Sequence, residues 1–239
     1  MNNSKQNNPM MKRTIIPALI LFLFFLGLSA NAQEVETRTP GNFTQVESGG
    51  SWDVYISIGN RDEVEIEATN VSLDNVITEV DNGKLKLRLK KGNYRNVKLK
   101  FYVTMRELEG IGCSGSGTIT VENDFDTDRL SLGVSGSGSI ILPKVKANEI
   151  YAGISGSADI EIAGGEADKL KIGQSGSGDF KGMDLQARSV DVGKSGSGET
   201  YITALDELKV GASGSGDVFY KGNPRTNIGV SGSAKVIKK

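Results

Sequence analysis

From residue 130 onward the chain alternates apolar and polar residues, and the alternation restarts at regular intervals. Leu130-Ser131-Leu132-Gly133-Val134 is followed by Ile150-Tyr151-Ala152-Gly153-Ile154, Leu170-Lys171-Ile172-Gly173-Gln174, Val190-Asp191-Val192-Gly193-Lys194 and Leu208-Lys209-Val210-Gly211-Ala212. Each run ends on Ser-Gly-Ser. The first serines fall at 114, 135, 155, 175, 195, 213 and 231, at spacings of 21, 20, 20, 20, 18 and 18. Beyond each motif the alternation resumes, with Ile140, Ile160, Phe180, Val218 and Val236 at one common position and Thr200 as its weak member. Period two is the pattern of a strand with one buried face. No stretch within a unit carries the pattern and caps of a helix.

A fixed period near 20 residues marks a repeat architecture. The Leu-x-x-Leu-x-Leu frame of leucine-rich repeats is absent. Each unit therefore reads as strand, turn, strand, turn, which returns the chain to its starting point after one rung. A single rung cannot bury its apolar side; rungs stacked at about 4.8 Å share one core. The fold class expected is all-β, a parallel β-helix over about residues 108–237, with the Ser-Gly-Ser units in register. On this reading the motif is first a stacked corner of small polar residues, in which glycine admits a bend or close backbone approach. A second reading of the same stripe is a flat polar strip that holds a glycan or a peptide.

The first third lacks the motif but is also strand-rich. "WDVYISIG" puts Val54, Ile56 and Ile58 on one face, and "EVEIEAT" repeats the pattern with Val64 and Ile66. "VITEVDNGKLKLRLK" reads as a hairpin, with Leu85, Leu87 and Leu89 on one face and Asp81-Asn82-Gly83 at the turn. "NVKLKFYVTM" follows. This region is expected to start the solenoid and to cap it with partly antiparallel strands, since a bare end exposes apolar residues and an open edge.

Lys12 and Arg13, the apolar run Thr14 to Leu28 and the small-x-small site Ala30-Asn31-Ala32 form the pattern of a cleaved signal peptide. The run is shorter than the roughly 20 residues of a membrane span. The expected organisation is a signal peptide at 1–32 and one solenoid domain at 33–239, with strands and cap over 33–107 and repeat rungs over 108–239. The mature chain carries 25 basic and 29 acidic residues, because Lys5, Lys12 and Arg13 leave with the signal, for a net charge of −4. Nothing here favours a polyanion, so nucleic acid is not an expected partner. Cys113 is the single cysteine and excludes an internal disulfide. The chain has no histidine, which removes the commonest general base and transition-metal ligand.

The signal pattern, "GNFTQVESGGSWDVYISIG" (Gly41 to Gly59), the hairpin, the repeated "GxSGSG" units and "FYKGNP" (Phe219 to Pro224) together resemble the head-GIN-domain family, known as putative auto-transporter adhesins. The resemblance spans about Gly41 to Lys239. It implies a right-handed β-helical domain exported to the envelope or surface. It brings no catalytic residues and no cofactor.

The residue after each motif is Thr118, Ser139, Asp159, Asp179, Glu199, Asp217 and Lys235. Four consecutive rungs thus place a carboxylate at one position: Asp159, Asp179, Glu199 and Asp217. Stacked about 5 Å apart, like charges repel. The stripe is either a solvated edge, helped by Lys171 and Lys209, or a low-affinity site for a hard cation such as Ca²⁺. Cys113 shares a column with Val134, Ile154, Ala212 and Val230 and reads as core. Gln174 and Lys194 break that column, by an outward turn of the wall or by something local. Trp52 reads as packing before sugar stacking; Tyr55, Tyr94, Tyr151, Tyr201 and Tyr220 have the same two readings.

The functional expectation is a non-enzymatic, exported binding or adhesin-like module in the periplasm, at the outer membrane or on the cell surface. Its partner is a surface glycan or an envelope protein, and no span crosses the membrane in the mature chain. The alternatives are a polysaccharide-cleaving β-helix enzyme, which needs paired carboxylates or a Ca²⁺ cluster with a basic residue, and a purely structural rod.

Overall fold

The computed structural model describes residues 33–239. The expected signal peptide lies outside these residues. Within them the spacing of inward side chains defines the cross-section. In β11 (Ser139–Gly156) the buried residues are Ile140 and Leu142, then Val145 and Ala147, then Ile150, Ala152 and Ile154. Alternation holds inside each group and slips to a spacing of three between groups. Each slip is a corner, and Ser155-Gly156-Ser157 forms the remaining one. A rung therefore has three faces. The first holds the Leu/Ile-x-Leu/Ile/Ala-Gly-x runs, the second follows Ser-Gly-Ser, and the short third joins them.

The rungs stack in parallel and in register. β10 (Phe125–Gly136), β11, β12 (Asp159–Gly176), β13 (Phe180–Gly196) and β14 (Thr200–Gly214) each wrap the corners. Ser135 pairs with Ser155, Ser155 with Ser175, Ser175 with Ser195 and Ser195 with Ser213. β15 (Val218–Lys221) and β17 (Val236–Lys238) end the second face, and β16 (Arg225–Gly232) ends the first. The expected parallel β-helix is thus present. The irregularity between β13 and β14, at Gly182/Gln186 and Ala187/Ser189, falls where the sequence period drops from 20 to 18.

The first third joins the same stack, but out of chain order. β2 (Gln45–Gly50) and β3 (Asp53–Ile58) form a rung. β6 (Lys84–Leu89) and β7 (Lys98–Met105) lie on one side of it, and β8 (Gly110–Gly115) and β9 (Thr118–Val121) on the other, all parallel. Antiparallel pairings also occur in this region. β1 (Glu34–Arg38) pairs with β4 (Glu63–Thr69), which pairs with β7, while β5 (Val76–Asp81) and β6 form the hairpin. Its two-residue turn has positive φ at both Asn82 (51°) and Gly83 (74°), the left-handed geometry that suits the strand twist. Arg38 ties the cap together by donating to Val76 O (2.7 Å) and Leu73 O (2.9 Å) while pairing with Glu36 (2.8 Å).

One continuous core runs through all rungs and includes Val54, Ile56, Val64, Ile66, Leu85, Leu87, Phe101 and Val103 of the first third. Each large aliphatic side chain so buried contributes about 1.5–3 kcal/mol. Cys113 belongs to it: it is buried, its thiol donates to Gly117 O (3.5 Å), and burial pushes its pKa up. Trp52 packs against Phe101, with ring centroids 5.8 Å apart, and donates through its indole N–H to Ser48 Oγ (2.8 Å).

Candidate functional site: a glycine-floored trough

The glycines of the repeat fall into two classes. The glycine of Ser-Gly-Ser is a corner requirement. Gly136 has φ +91°, and a Cβ there would lie 2.6 Å from Gly115 O of the rung before; Gly156, Gly176, Gly196, Gly214 and Gly232 repeat this. No other residue fits under such a contact. The glycine two positions before the motif is different. Gly133, Gly153, Gly173, Gly193, Gly211 and Gly229 have no left-handed φ, and a Cβ at any of them would come no closer than 3.8 Å to another atom. Backbone geometry does not demand glycine here, and glycine within a strand costs about 0.5–1 kcal/mol relative to alanine. With Gly112 these residues stack in one outward row on the first face.

That row is the floor of a shallow trough. One wall is the column Ser114, Ser135, Ser155, Ser175, Ser195, Ser213 and Ser231; the other is Ser131, Tyr151, Lys171, Asp191, Lys209 and Asn227. At the head of the row Gly112 gives way to Glu47 and then Lys86, which with Arg88 raise an end wall. The part over Gly112, Gly133, Gly153 and Gly173 is open to solvent and has a volume of about 590 Å³. Both acids on this lining are in ion pairs, Glu47 with Lys84 (2.9 Å) and Asp191 with Lys209 (3.7 Å). The trough offers hydroxyls, a tyrosine ring and scattered charges over a floor of bare backbone.

The carboxylate stripe lies on a different part of the surface and has work within the fold. The backbone N–H of Asp179 donates to Asp159 Oδ1, that of Glu199 to Asp179 Oδ1, and that of Lys235 to Asp217 Oδ1, each at 2.8 Å. In earlier rungs the equivalent N–H groups of Ser139 and Asp159 donate to the carbonyls of Gly117 and Gly138 (3.1 Å). The carboxylate therefore replaces a backbone carbonyl as acceptor. All four acids are half-buried, Lys181 sits 3.8 Å from Asp159, and the Tyr201 hydroxyl donates to Glu199, which pushes the tyrosine pKa up to about 12. Lys171 and Lys209, expected beside the stripe, stand in the trough wall instead, because their column belongs to the first face. Among the described residues no three acidic or cysteine side chains converge as a set that could hold a metal ion.

Gln174 and Lys194 point into the core, not outward. They are 4 % and 5 % exposed. Where Glu199 N–H has gone to Asp179, the Gly178 carbonyl is left without its rung partner, and Gln174 Nε2 donates to it from inside. Gln174 Oε1 accepts from the Thr200 hydroxyl (2.6 Å), which accounts for threonine at an otherwise apolar position. Lys194 Nζ donates to Gly198 O and to Asp217 O (3.2 Å). Burial lowers its pKa, against the opposing pull of Asp217, Asp179 and Glu199.

The serine column is legible in the sequence, and the glycine floor is not. Its signal was present, a glycine two residues before each of the seven motifs, but only the fold separates that glycine from the corner glycine three residues later.

Comparison with known proteins agrees with this architecture. No curated protein matches the chain. Among solved structures, a putative adhesin from Bacteroides fragilis superimposes with a TM-score of 0.80 at 19 % identity, covering 88 % of this chain and 98 % of that one. A putative adhesin from Parabacteroides merdae gives 0.72 at 19 %, covering 88 % and 97 %. A putative lipid binding protein from Parabacteroides distasonis gives 0.67 at 21 %, covering 88 % and 98 %. At such identities the likeness is one of fold. The sequence profile of a family matches residues 42–224, and by that match the chain belongs to the family described as putative auto-transporter adhesin, head GIN domain.

Proposed function

We propose that the protein is a non-enzymatic adhesin-like module that holds an extended saccharide chain in the trough of the first face. The observation that carries this reading is the row of seven glycines, six of which neither φ nor packing explains. A floor of bare backbone lets a flat ligand approach closely, and the serine column offers hydroxyls at a rung spacing of about 4.8 Å. A peptide adding as a strand needs a free sheet edge, whereas over Gly112, Gly133, Gly153 and Gly173 each strand is paired on both sides. A hydrolase needs two carboxylates within about 5–9.5 Å of each other, and the two acids on the trough lining, Glu47 and Asp191, stand five rungs apart.

Export is the second part of the proposal. The family's description as an adhesin supports an extracellular or surface place, and the pattern at residues 10–32 supports a cleaved signal. No helix among the described residues is long and apolar enough to cross a membrane. The test is binding of the purified protein to a glycan array beside a polysaccharide-cleavage assay. Retention of one class of glycan without release of reducing ends is expected. Cleavage products would overturn the reading.

A further inference from the structure

The two ends of the solenoid differ in a way that points to a partner. At the carboxy-terminal end, β16 pairs only with β14 and β17 only with β15, so both outer edges are free among the described residues. The core-side row of β16 is Thr226, Ile228 and Val230, stacked on Leu208, Val210 and Ala212; Ile228 is 42 % and Val230 41 % exposed. On the core side of β17 stand Val236 and Lys238, above Val218 and Tyr220. Residues 218–239 contain five basic residues, Lys221, Arg225, Lys235, Lys238 and Lys239, and no acidic one.

At the amino-terminal end the edges that are free among the described residues are those of β5 on the first face and β1 on the second. The core-side row of β5 is Val76, Thr78 and Val80, opposite Leu89, Leu87 and Leu85. The core-side row of β1 is Glu34, Glu36 and Arg38, opposite Ala68, Ile66 and Val64. Charges turned inward at an edge bar a stray apolar strand. They do not bar a strand that brings a cation. The two terminal strands and the 3₁₀ turn before β5 carry Glu34, Glu36, Asp74, Glu79 and Asp81 against Arg38 alone.

We propose that the carboxy-terminal end of one molecule docks on the amino-terminal end of a second copy, so that the rod continues from protomer to protomer. Each face finds its complement. On the first face the apolar row Ile228–Val230 meets Val76–Val80; on the second, Lys238 meets Glu34, since Glu36 is already paired with Arg38. Two carboxy-terminal ends would instead bring Lys235, Lys238 and Lys239 of each molecule together, Lys221 and Arg225 being paired with Asp184 and Glu207. The contact is heterologous and does not close, so it yields chains of molecules, not a fixed dimer. Such chains would carry the trough of each protomer in succession, giving an extended ligand many weak contacts.

Analytical ultracentrifugation with electron microscopy of the purified protein at low salt tests this. Rods growing in steps of one protomer with concentration, and dissolving in high salt, are expected. Lys238→Glu and Glu34→Lys should each lose the rods, with melting temperatures near that of the parent. Mixing the two variants should restore them, since every joint then pairs opposite charges. A monomer at all concentrations overturns the proposal. So does a dimer that loses assembly on Ile228→Asp but ignores Glu34→Lys, because it joins two carboxy-terminal ends.

Discussion

The backbone N–H of Glu199 donates to Asp179 Oδ1, one rung back, at 2.8 Å. This bond moves an acceptor from the main chain to a side chain and frees the Gly178 carbonyl, which Gln174 then caps from within the core. An outward acid and an inward amide, five residues apart in sequence, are thus two halves of one corner.

Removing the acid separates its roles. Asp179→Ala leaves Glu199 N–H without its acceptor and should cost about 1–3 kcal/mol, read by denaturant unfolding. Asp179→Asn keeps an acceptor oxygen and should cost less. Melting with and without millimolar calcium at fixed ionic strength tests the stripe as an ion site. Such a site requires a calcium-specific rise that Asp179→Asn abolishes. The hydrogen-bond ladder requires only that sodium and calcium salts act alike.

Lys194 gives the fold a pH dependence of known sign. Its pKa lies below the ordinary 10.5, first because burial disfavours the charge. Between the lowered value and 10.5 the unfolded chain holds more protons than the folded one, so stability attributable to this group rises with pH. Tyr201, raised to about 12, acts oppositely above 10, and Lys194→Met leaves it in place. The stability of wild type minus that of Lys194→Met should therefore grow as pH climbs through the alkaline range toward 10.5. A flat difference means that Lys194 is as readily charged in the fold as in water.

Export predicts a mature amino terminus at or near Gln33. Mass spectrometry of the protein from its own cells should find it there. An intact Thr14 to Leu28 segment in the mature product means an anchor instead.

Ile160 and Ser155 show why the repeat was legible. A period-two pattern and a 20-residue return fix the face of each side chain and the register of each rung, because a parallel stack places equivalent residues directly above one another. Ser48-Gly49-Gly50 shows what was not. This segment stacks on Cys113-Ser114-Gly115 as an earlier corner, but it lacks the motif, and its rung lies between two others that follow it in the chain. Gln174 broke a column visibly, yet a sequence cannot say which way a polar residue in an apolar column turns. Its partners are a carbonyl four residues on, a second carbonyl 25 residues away and a hydroxyl 26 residues away. Gly153 and Gly156 are the same letter three places apart. A Cβ on the first would come no closer than 3.8 Å to another atom and on the second would lie 2.6 Å from the Gly136 carbonyl oxygen, a distinction that exists only once rungs are stacked.

The double variant Gly153→Val, Gly173→Val decides whether the glycine floor of the trough serves a ligand or the fold. Both sites have ordinary backbone angles and room for a side chain, and valine favours strands where glycine weakens them. A melting temperature equal to or above that of the parent is expected, together with loss of glycan-array retention as the new side chains fill the floor. A clear fall in melting temperature would show that these glycines serve the fold, and unchanged retention would show that the ligand binds elsewhere.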